Sequence, residues 1–363
     1  MNVTIIGAGI VGCAVAHELA SRRARVRVID PRRPGGGATR ASAGMLAPHI
    51  EGHIPALHDI SVRSLSLYDA WIDRVSRDSA RAIEYARNGT LQIAPDAATA
   101  AALREEAKRL GAARIPHSLI TDDVRTREPA LGDAARAALL IPEHGYVAVS
   151  ALADALVHAA TTLGARFVTE RVTGIHASSS GAQVTTTEGT VDADAVIVAA
   201  GSWSPEVAGI AAWPPPVQPV RGQLLHLRAD RRVLTHIVWG PGCYIVPWND
   251  GTMLVGATVE HVGFNESATA SAVRDLLAAA TALVPALADA TFESVRVGLR
   301  PMTTDELPII GPSSANERVL YATGHYRNGI MLAPLTAQVV ADLVLDGRTS
   351  LDLEPMKPSR FGL

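Results

Sequence analysis

The chain has 363 residues, of which 48% are hydrophobic and 19% are charged, and its formal net charge is −3. This length favours two closely packed domains over one core. The nearly neutral charge gives no electrostatic reason to expect nucleic acid or an anionic membrane as a partner. No apolar run in the sequence reaches the length of a membrane span.

Two residue types restrict the chemistry further. The thiols are Cys13 and Cys243, and neither has metal-ligand spacing, which predicts buried cysteines in a reducing cytoplasm. The lysines are Lys108 and Lys357, and both stand in polar sequence contexts. A Schiff base with a pyridoxal cofactor is therefore not expected.

The first thirty residues have the layout of a dinucleotide-binding βαβ unit. An apolar strand leads into Gly7, Gly9 and Gly12, an alanine-rich helix follows, and a second apolar strand ends at Asp30. The glycines permit the tight turn, the approach of backbone to a pyrophosphate, and close helix–strand packing, while Asp30 would accept hydrogen bonds from a ribose. The N-terminus of the helix offers N–H groups to phosphate. This unit predicts an adenine dinucleotide and leaves NAD and FAD both open.

Residues 31–45 form a loop that is rich in glycine and small hydroxyl residues. We interpret its backbone as a surface for a second large, flat ligand, and a flexible surface linker is the alternative. Further along, residues 194–204 are predicted to form a buried parallel-type strand that ends in small residues, which leaves room for a cofactor.

Hydrophobic periodicity predicts the remaining elements in chain order. Helical spacing extends over 57–85, 97–110, 150–163 and 273–284. The last helix is predicted to start at Pro334 and to stop at Gly347. Strands are expected over 90–94, 165–168 and 172–175, and a hairpin over 182–193 with its turn at Glu188-Gly189. A stiff linker follows at 213–216, and further strands are expected over 223–227, 243–247, 253–257 and 318–324.

This order predicts an α/β fold made of two domains. A discontinuous Rossmann-like nucleotide-binding domain would contain residues 1–88, 146–212 and 296–363. A substrate-binding domain, with an antiparallel or mixed β-sheet and helices, would contain residues 89–145 and 213–295, so that it is inserted twice.

Six sequence motifs, considered together, indicate a resemblance to a known family. They are the glycine turn with Asp30, Ser-Ala-Gly-Met-Leu-Ala-Pro at 42–48, Cys-Tyr-Ile-Val-Pro at 243–247, Gly-Ala-Thr at 256–258, Gly-Leu-Arg-Pro at 298–301, and Gly-His-Tyr-Arg-Asn-Gly-Ile at 324–330. With them, nearly the whole chain resembles the D-amino acid oxidase family of flavoproteins, and within it the bacterial glycine oxidases of the thiamine pathway. The resemblance implies noncovalent FAD, because no cysteine near Asn328 corresponds to the flavin tether of sarcosine oxidases.

The resemblance also implies where FAD would lie. The ADP half would rest on the first βαβ unit, Val172 would contact adenine through its backbone, and the flavin ring would be buried between the domains. If the last helix points its N-terminus at the ring, its dipole would stabilise the negative charge of a reduced flavin by about 0.3–2 kcal/mol. The cofactor-binding residues implied in this way are Gly7, Gly9, Ile10, Val11, Gly12, Asp30, Thr39, Arg40, Ser42, Ala43, Gly44, Met45, Val172, Ala200, Gly201, Arg300, Tyr326, Arg327, Asn328, Gly329, Ile330 and Met331.

Three residues are the candidates for catalysis. Because a flavin accepts a hydride at N5, the protein need only hold an amino acid with its Cα–H over that atom. An arginine fork suits the carboxylate, which makes Arg300 the predicted clamp, with Tyr244 as an added hydroxyl donor. The resemblance implies Arg327 as a second active-site cation. The alternatives are a surface ion pair for Arg300, a half-buried strand aromatic for Tyr244 and an interdomain salt bridge for Arg327. No general base is nominated, and no metal is expected at His49, His53 or His58.

The resemblance implies that Met45, Glu51 and Val259 belong to the substrate pocket, and a solvated surface carboxylate is the alternative for Glu51. Val259 stands where a methionine often follows Gly-Ala-Thr in the resembling enzymes, which removes length from one wall. Since a methyl group in an apolar pocket is worth about 1–3 kcal/mol, sarcosine and small D-amino acids would be separated from glycine by rate and not excluded.

The expected reaction is FAD-dependent oxidation of glycine to the imine, then glyoxylate and ammonia, with molecular oxygen reduced to hydrogen peroxide. The alternatives are a D-amino acid or N-methyl amino acid dehydrogenase that passes electrons to a quinone, an NAD-dependent dehydrogenase, and a redox-responsive dinucleotide-binding regulator. The resemblance further implies a homo-oligomer, either dimer or tetramer.

Overall fold

The structure, a computed structural model, describes residues 1–51, 54–178, 181–207, 209 and 214–363. His53, Trp213 and the side chain of Glu51 lie outside the described residues. The α-helices of the described part are α1 (Ile10–Ser21), α2 (Pro48–Glu51), α3 (Pro55–Ser79), α4 (Ala97–Ala112), α5 (Val149–Thr162), α6 (Ala270–Leu283) and α7 (Gly329–Asp346). Short 3-10 helices cover Val124–Thr126, Gly201–Glu206, Pro285–Asp289, Glu354–Met356 and Pro358–Phe361.

The strands of the described residues form two large sheets and two small ones. Their bounds are β1 (Asn2–Ile6), β2 (Arg25–Ile29), β3 (Met45–Leu46), β4 (Tyr85–Ala86), β5 (Thr90–Ala94), β6 (Ser118–Ile120), β7 (Ala137–Ile141), β8 (Gly145–Val147), β9 (Arg166–Val168), β10 (Val172–Ala177), β11 (Ala182–Thr186), β12 (Gly189–Ala193), β13 (Ala195–Val198), β14 (Val217–Arg228), β15 (Ile237–Gly240), β16 (Cys243–Pro247), β17 (Thr252–Gly256), β18 (Thr291–Thr303), β19 (Ile309–Pro312) and β20 (Val319–Thr323).

The first large sheet is the predicted nucleotide-binding sheet. Its strand order is β19-β20-β13-β1-β2-β9, and all neighbours are parallel except β19 and β20. Helices α1, α3, α5 and α7 share one core with one face of this sheet, and the antiparallel β10-β11-β12 sheet shares another core with the opposite face. A parallel sheet covered on both faces explains why its strands are apolar throughout. The predicted α/β fold class is confirmed.

The second large sheet carries the substrate side of the molecule. Its strand order is β18-β14-β17-β16-β15-β5-β7-β6, and β15 and β5 are its parallel pair, so the sheet is mixed. Residues of α6 and α4 pack into the cores beside it. Strand β18 pairs with β14 from Thr291 to Thr303, so the domain boundary predicted at residue 296 falls inside a strand. The other predicted bounds stay a prediction.

Two predicted helix ends are wrong. Helix α3 stops at Ser79 because Ala80 is left-handed (φ 52°) and its N–H bonds back to the carbonyls of Arg77 and Ser76, so the helix does not continue to Tyr85. Helix α7 starts at Gly329 and contains Pro334 in its interior. Proline offers no N–H to the carbonyl four residues earlier, and the Tyr68 hydroxyl donates to that carbonyl, on Ile330, instead.

Helix α7 is also long and apolar enough to cross a membrane by length and composition alone. Sixty-one per cent of it is buried inside the protein, and its residues belong to the core beside the nucleotide-binding sheet. Packing in the fold therefore accounts for its apolar character.

Candidate active site and dinucleotide cleft

A cavity of about 730 Å³ is bordered by residues from both large sheets. This volume is within the range of about 300–1,000 Å³ that ligand sites occupy in proteins. The glycine turn lies along the cavity, and so do residues of β16 and β18 from the substrate sheet. The cavity therefore joins the two regions that the sequence predicts to act together.

Gly7 and Gly9 of the glycine turn border the cavity, but the space beside Gly7 and Gly12 is filled by protein backbone. A Cβ on Gly12 would lie 2.0 Å from the Gly7 carbonyl oxygen, and a Cβ on Gly7 would lie 2.4 Å from the Ala199 carbonyl oxygen. A Cβ on Gly9 would meet the Thr39 hydroxyl at an ordinary 3.5 Å. Gly9, Ile10 and Val11 border the cavity and Gly12 does not. Only Gly9 therefore has a side that the protein itself leaves open.

Asp30 and Thr39 order this turn. The Asp30 carboxylate accepts hydrogen bonds from the backbone N–H of Ala8 and of Arg32, each at 2.7 Å. The Thr39 hydroxyl accepts from the Ile10 N–H at 2.9 Å, at the start of α1. Each carboxylate oxygen retains a lone pair for a ribose hydroxyl. Asp30 and Thr39 both border the cavity.

The predicted second ligand surface also borders the cavity. Residues 36–39 and 41–45 line it, including Ser42, Ala43, Gly44 and Met45. Gly44 has φ 76°, and a Cβ there would lie 2.0 Å from the Val147 carbonyl oxygen, so the chain requires glycine at this point. Val172, Ala200 and Gly201 line the cavity as well.

Three further residues predicted to bind the cofactor do not border the cavity. Arg40 lies near Arg296, where burial and the Arg40 charge both lower the pKa of Arg296. Asn328 is buried and precedes the first residue of α7. Met331 is buried, and its carbonyl accepts from the Ser64 hydroxyl at 2.6 Å. Asn328 and Met331 are thus placed to support the start of α7.

The start of α7 faces the cavity. Tyr326, Arg327, Gly329 and Ile330 line it, and the first turn of α7 contains no acidic residue. The positive end of this helix dipole is therefore directed at the space where the resemblance places the flavin. The Arg327 side chain is exposed, and its guanidinium carbon lies 5.1 Å from the Tyr326 ring centre.

Arg300 projects from β18 into the cavity at a position fixed by its neighbours. Its Nη1 donates to the Thr258 carbonyl at 2.9 Å. A Cβ on Gly222 would come within 2.4 Å of the guanidinium carbon, so the guanidinium lies flat across that glycine. No acidic side chain of the described residues forms an ion pair with Arg300. A half-buried, positioned guanidinium without a carboxylate is suited to a carboxylate ligand.

Tyr244 stands on the same face of the sheet. It pairs with Gly256 across β16 and β17, and a Cβ on Gly256 would lie 2.7 Å from the tyrosine hydroxyl. The ring centres of Tyr244 and Trp239 are 5.3 Å apart. Met45, which is buried, and Val259, which is 44% exposed, complete this end of the cavity, whereas the position of the Glu51 side chain stays a prediction.

The sequence interpretation missed the residues that hold Arg300 and the segment next to it. Gly222 gives space to the guanidinium, the Thr258 carbonyl anchors it, and Ser202 donates to the Leu299 carbonyl at 3.0 Å. The only sequence signal for these residues is Gly222, a glycine within an otherwise bulky strand, because such a glycine is typical of a close approach by another group.

The model of the FAD dependent oxidoreductase family, DAO, matches residues 2–343. This chain belongs to that family. The match decides between NAD and FAD in favour of FAD and confirms the resemblance stated from the motifs.

Individual relatives extend the match. The glycine oxidase of Geobacillus kaustophilus is 34% identical over 99% of this chain and 97% of its own length, and its crystal structure superposes with a TM-score of 0.93 over 98% and 97% of the two chains. The bifunctional protein ThiO/ThiG of Synechocystis is 34% identical over 99% of this chain. The chain spans only 54% of that protein's length. An iminodiacetate oxidase from Chelativorans is 28% identical with a TM-score of 0.90, covering 98% of each chain.

The described residues fit FAD. Two helix N-termini without acidic first turns, those of α1 and α7, border one cavity, and the open side of Gly9 is at the first of them. Such ends attract phosphate and developing negative charge. The glycine turn would hold the pyrophosphate, Asp30 the ribose, and the residues around Gly44 and Ile330 the flavin ring.

His49 forms contacts that satisfy it without a metal. Its Nδ1 lies 3.0 Å from His58 Nε2, and its Nε2 is hydrogen-bonded to Glu143. Within the part of the chain that the structure describes, no group of His, Cys, Asp and Glu side chains could hold a metal ion. The prediction for His53 lies outside the described residues.

His325 borders the cavity in its neutral form. It is buried, its Nε2 lies 3.1 Å from the Thr336 hydroxyl, and burial lowers its pKa from 6.5 to about 4. In the unfolded chain the His325 imidazole is protonated below about pH 6.5, whereas in the folded protein it is protonated only below about pH 4. His325 therefore destabilises the folded protein as the pH falls through that window.

Thermal unfolding should show the Tm of the wild type falling relative to that of His325→Gln between pH 6.5 and 4, with a constant difference above pH 7. A constant Tm difference at every pH would mean that His325 is protonated in the folded protein at the same pH as in the unfolded chain.

Proposed function

We propose that this chain oxidises glycine, with FAD as the hydride acceptor and molecular oxygen as the final oxidant, and that Arg300 binds the glycine carboxylate. The observation that carries the proposal is the position of Arg300. Its guanidinium borders the cavity, is anchored to the Thr258 carbonyl and lies over Gly222. A buried carboxylate needs such a charged, bidentate partner.

The protein's part in the reaction is binding and orientation. Arg300 would hold both carboxylate oxygens, the Tyr244 hydroxyl would donate to one of them, and Met45 and Tyr244 would restrict the space beyond the Cα atom. When bound, FAD supplies the hydride acceptor and the route for electrons to oxygen. The imine product would then hydrolyse to glyoxylate and ammonia. Arg327, exposed at the cavity edge, would add positive charge where an amino acid enters.

The relatives support glycine as the substrate. Proteins named glycine oxidase from Geobacillus kaustophilus, Bacillus licheniformis and Pseudomonas putida are 30–34% identical over nearly the whole chain. Val259, exposed at the cavity, leaves one wall open. This opening, together with the similarity to an iminodiacetate oxidase, supports slower turnover of N-substituted glycines such as sarcosine and of small D-amino acids.

We place this reaction in the cytoplasm, as a supply of glycine-derived imine for thiazole synthesis in the thiamine pathway. Similarity to the oxidase half of ThiO/ThiG supports this role. Burial raises the pKa of both Cys13 and Cys243 to about 12, and both are unpaired, which suits a reducing compartment. The homo-oligomer, dimer or tetramer, stays a prediction from the resemblance.

Purified protein tests the proposal directly. Its absorption spectrum should show flavin bands at about 370 and 450 nm, and glycine under air should give steady peroxide and glyoxylate in equal amounts. Sarcosine, D-alanine and D-proline should react with lower kcat/KM. Dye reduction by glycine without peroxide would replace the oxidase by the quinone-linked dehydrogenase, and a flavin that no amino acid reduces would support a regulator instead.

A further inference from the structure

One exposed segment of the substrate domain reaches across to the nucleotide-binding domain. We call residues 258–268, between β17 and α6, the strap. Three of its apolar side chains, Val259, Val262 and Phe264, are 44%, 40% and 48% exposed. These exposed apolar side chains lie close together on a segment whose polar side chains Glu260 and Glu266 are hydrogen-bonded to other parts of the protein.

The base of the strap is fixed to β14. Arg221, which is 4% exposed, bonds to the Glu260 carboxylate and donates to the Ser267 carbonyl at 3.0 Å. Gln223 donates to Glu260 at 2.7 Å and accepts from the Thr269 N–H at 2.8 Å. Burial would raise the pKa of Glu260, but hydrogen bonds from Arg221, Thr258 and Gln223 outweigh it and bring that pKa to about 2. Both ends of the strap are therefore anchored beside Arg300.

The tip of the strap contacts the nucleotide-binding domain through two pairs. Arg32 donates to both carboxylate oxygens of Glu266, at 3.0 and 2.8 Å. The ring centres of Phe264 and Trp203 lie 5.6 Å apart. Arg32 also joins the two pairs, because its guanidinium carbon lies 4.2 Å above the Trp203 ring. We call Arg32, Trp203, Phe264 and Glu266 the latch.

The latch lies at the edge of the dinucleotide cleft. Arg32 and Trp203 both border the cavity. The Arg32 N–H is bonded to the Asp30 carboxylate, and Trp203 belongs to the 3-10 helix that begins at Gly201. The strap thus connects the segment that follows the ribose-binding acid with the segment beside the flavin.

We propose that the strap closes the dinucleotide cleft over bound FAD, and that the Arg32–Glu266 and Phe264–Trp203 contacts of the latch slow FAD dissociation. Closure by a segment anchored in the substrate domain means that FAD is retained by both domains and not by the Rossmann-like unit alone. Val262, which does not border the cavity, is then on the outer surface of this cover.

The rate of FAD release from the holoprotein tests the latch. Free FAD fluoresces more strongly than bound FAD, so dilution of the holoprotein gives the rate directly and requires no substrate. An exposed bidentate ion pair and an aromatic contact each contribute modestly, so we expect Glu266→Gln and Phe264→Ala each to release FAD about three- to tenfold faster. The matched control is Glu293→Gln, which removes the Arg228–Glu293 ion pair on the same sheet and should leave the rate unchanged.

Salt and a third variant separate the latch from a general loss of structure. The Arg32 and Glu266 side chains are 43% and 33% exposed, so salt should speed FAD release from the wild type more than from Glu266→Gln. Release at the wild-type rate from both Glu266→Gln and Phe264→Ala would overturn the proposal. The proposal would also be overturned if Arg32→Gln released FAD faster while Glu266→Gln and Phe264→Ala did not, because Arg32 would then hold FAD directly and not through the strap.

Discussion

Arg300→Ala should raise the KM for glycine by about 100- to 1,000-fold while the flavin spectrum and FAD content remain those of the wild type. Removal of one partner of a desolvated, hydrogen-bonded charge pair costs about 2–5 kcal/mol, and each 1.4 kcal/mol is tenfold in affinity. The substitution removes the guanidinium that lies over Gly222 and leaves the glycine turn unchanged. Peroxide formation over a range of glycine concentrations gives the KM, and absorbance gives the FAD content.

Two companion variants define the origin of that effect. Arg296→Ala removes a guanidinium from the same face of β18, four residues earlier and outside the cavity lining, and should alter the KM less than about threefold, as a change of under about 0.7 kcal/mol would. Arg300→Lys retains the charge without the fork and should give an intermediate KM. Loss of FAD from Arg300→Ala to the same degree as loss of glycine binding would make Arg300 a structural residue.

Gly9→Val should abolish stable FAD binding and leave the apoprotein folded. Gly9 has φ −69° and ψ −179°, which valine also adopts, and a Cβ there meets no protein atom closer than 3.5 Å. The two methyl groups would occupy the open side facing the cavity. We expect FAD affinity to fall by about 100-fold or more, corresponding to about 3 kcal/mol. Equilibrium titration with FAD, followed by flavin fluorescence, measures this change.

Gly12→Ala is the contrasting substitution in the same turn. Its Cβ would lie 2.0 Å from the Gly7 carbonyl oxygen, so we expect a destabilised fold whether or not FAD is added. Circular dichroism and thermal unfolding of the two apoproteins should therefore differ, with a native Tm for Gly9→Val and a lowered Tm for Gly12→Ala. A native Tm for both would contradict the separation of packing glycines from the ligand-facing glycine.

Elements with local signals were predictable from the sequence. The βαβ unit follows from a glycine pattern bounded by apolar strands, and the hairpin over 182–193 follows from alternation around a turn. The start of α7 was not predictable, because the residue that permits Pro334 inside the helix is Tyr68, 262 residues from its carbonyl partner on Ile330. Proline in sequence normally indicates a helix start, and here a distant hydroxyl overrides that rule.

In the candidate site too, features with a local sequence signal were predictable and features that depend on distant contacts were not. Arg300 and Tyr244 belong to recognisable motifs, and the structure directs both to one cavity. The space that Gly222 gives to Arg300 depends on the register between β14 and β18, which are separated by more than sixty residues. The strap could not be predicted either, because Arg32 and Glu266 are 234 residues apart and neither lies in a motif. Long-range pairing, which leaves no periodic pattern, determines these features.

Strand β18 connects the two large sheets and so restricts their relative motion. It pairs along its length with β14 in the substrate sheet, its Met302 bridges to His325 beside α7, and the chain enters β19 of the other sheet at Ile309. Separation of the two large sheets would break the Met302–His325 bridge and strain the short connection between β18 and β19. We therefore expect small molecules to enter and leave by rearrangement of surface loops, with the two sheets keeping their relative positions.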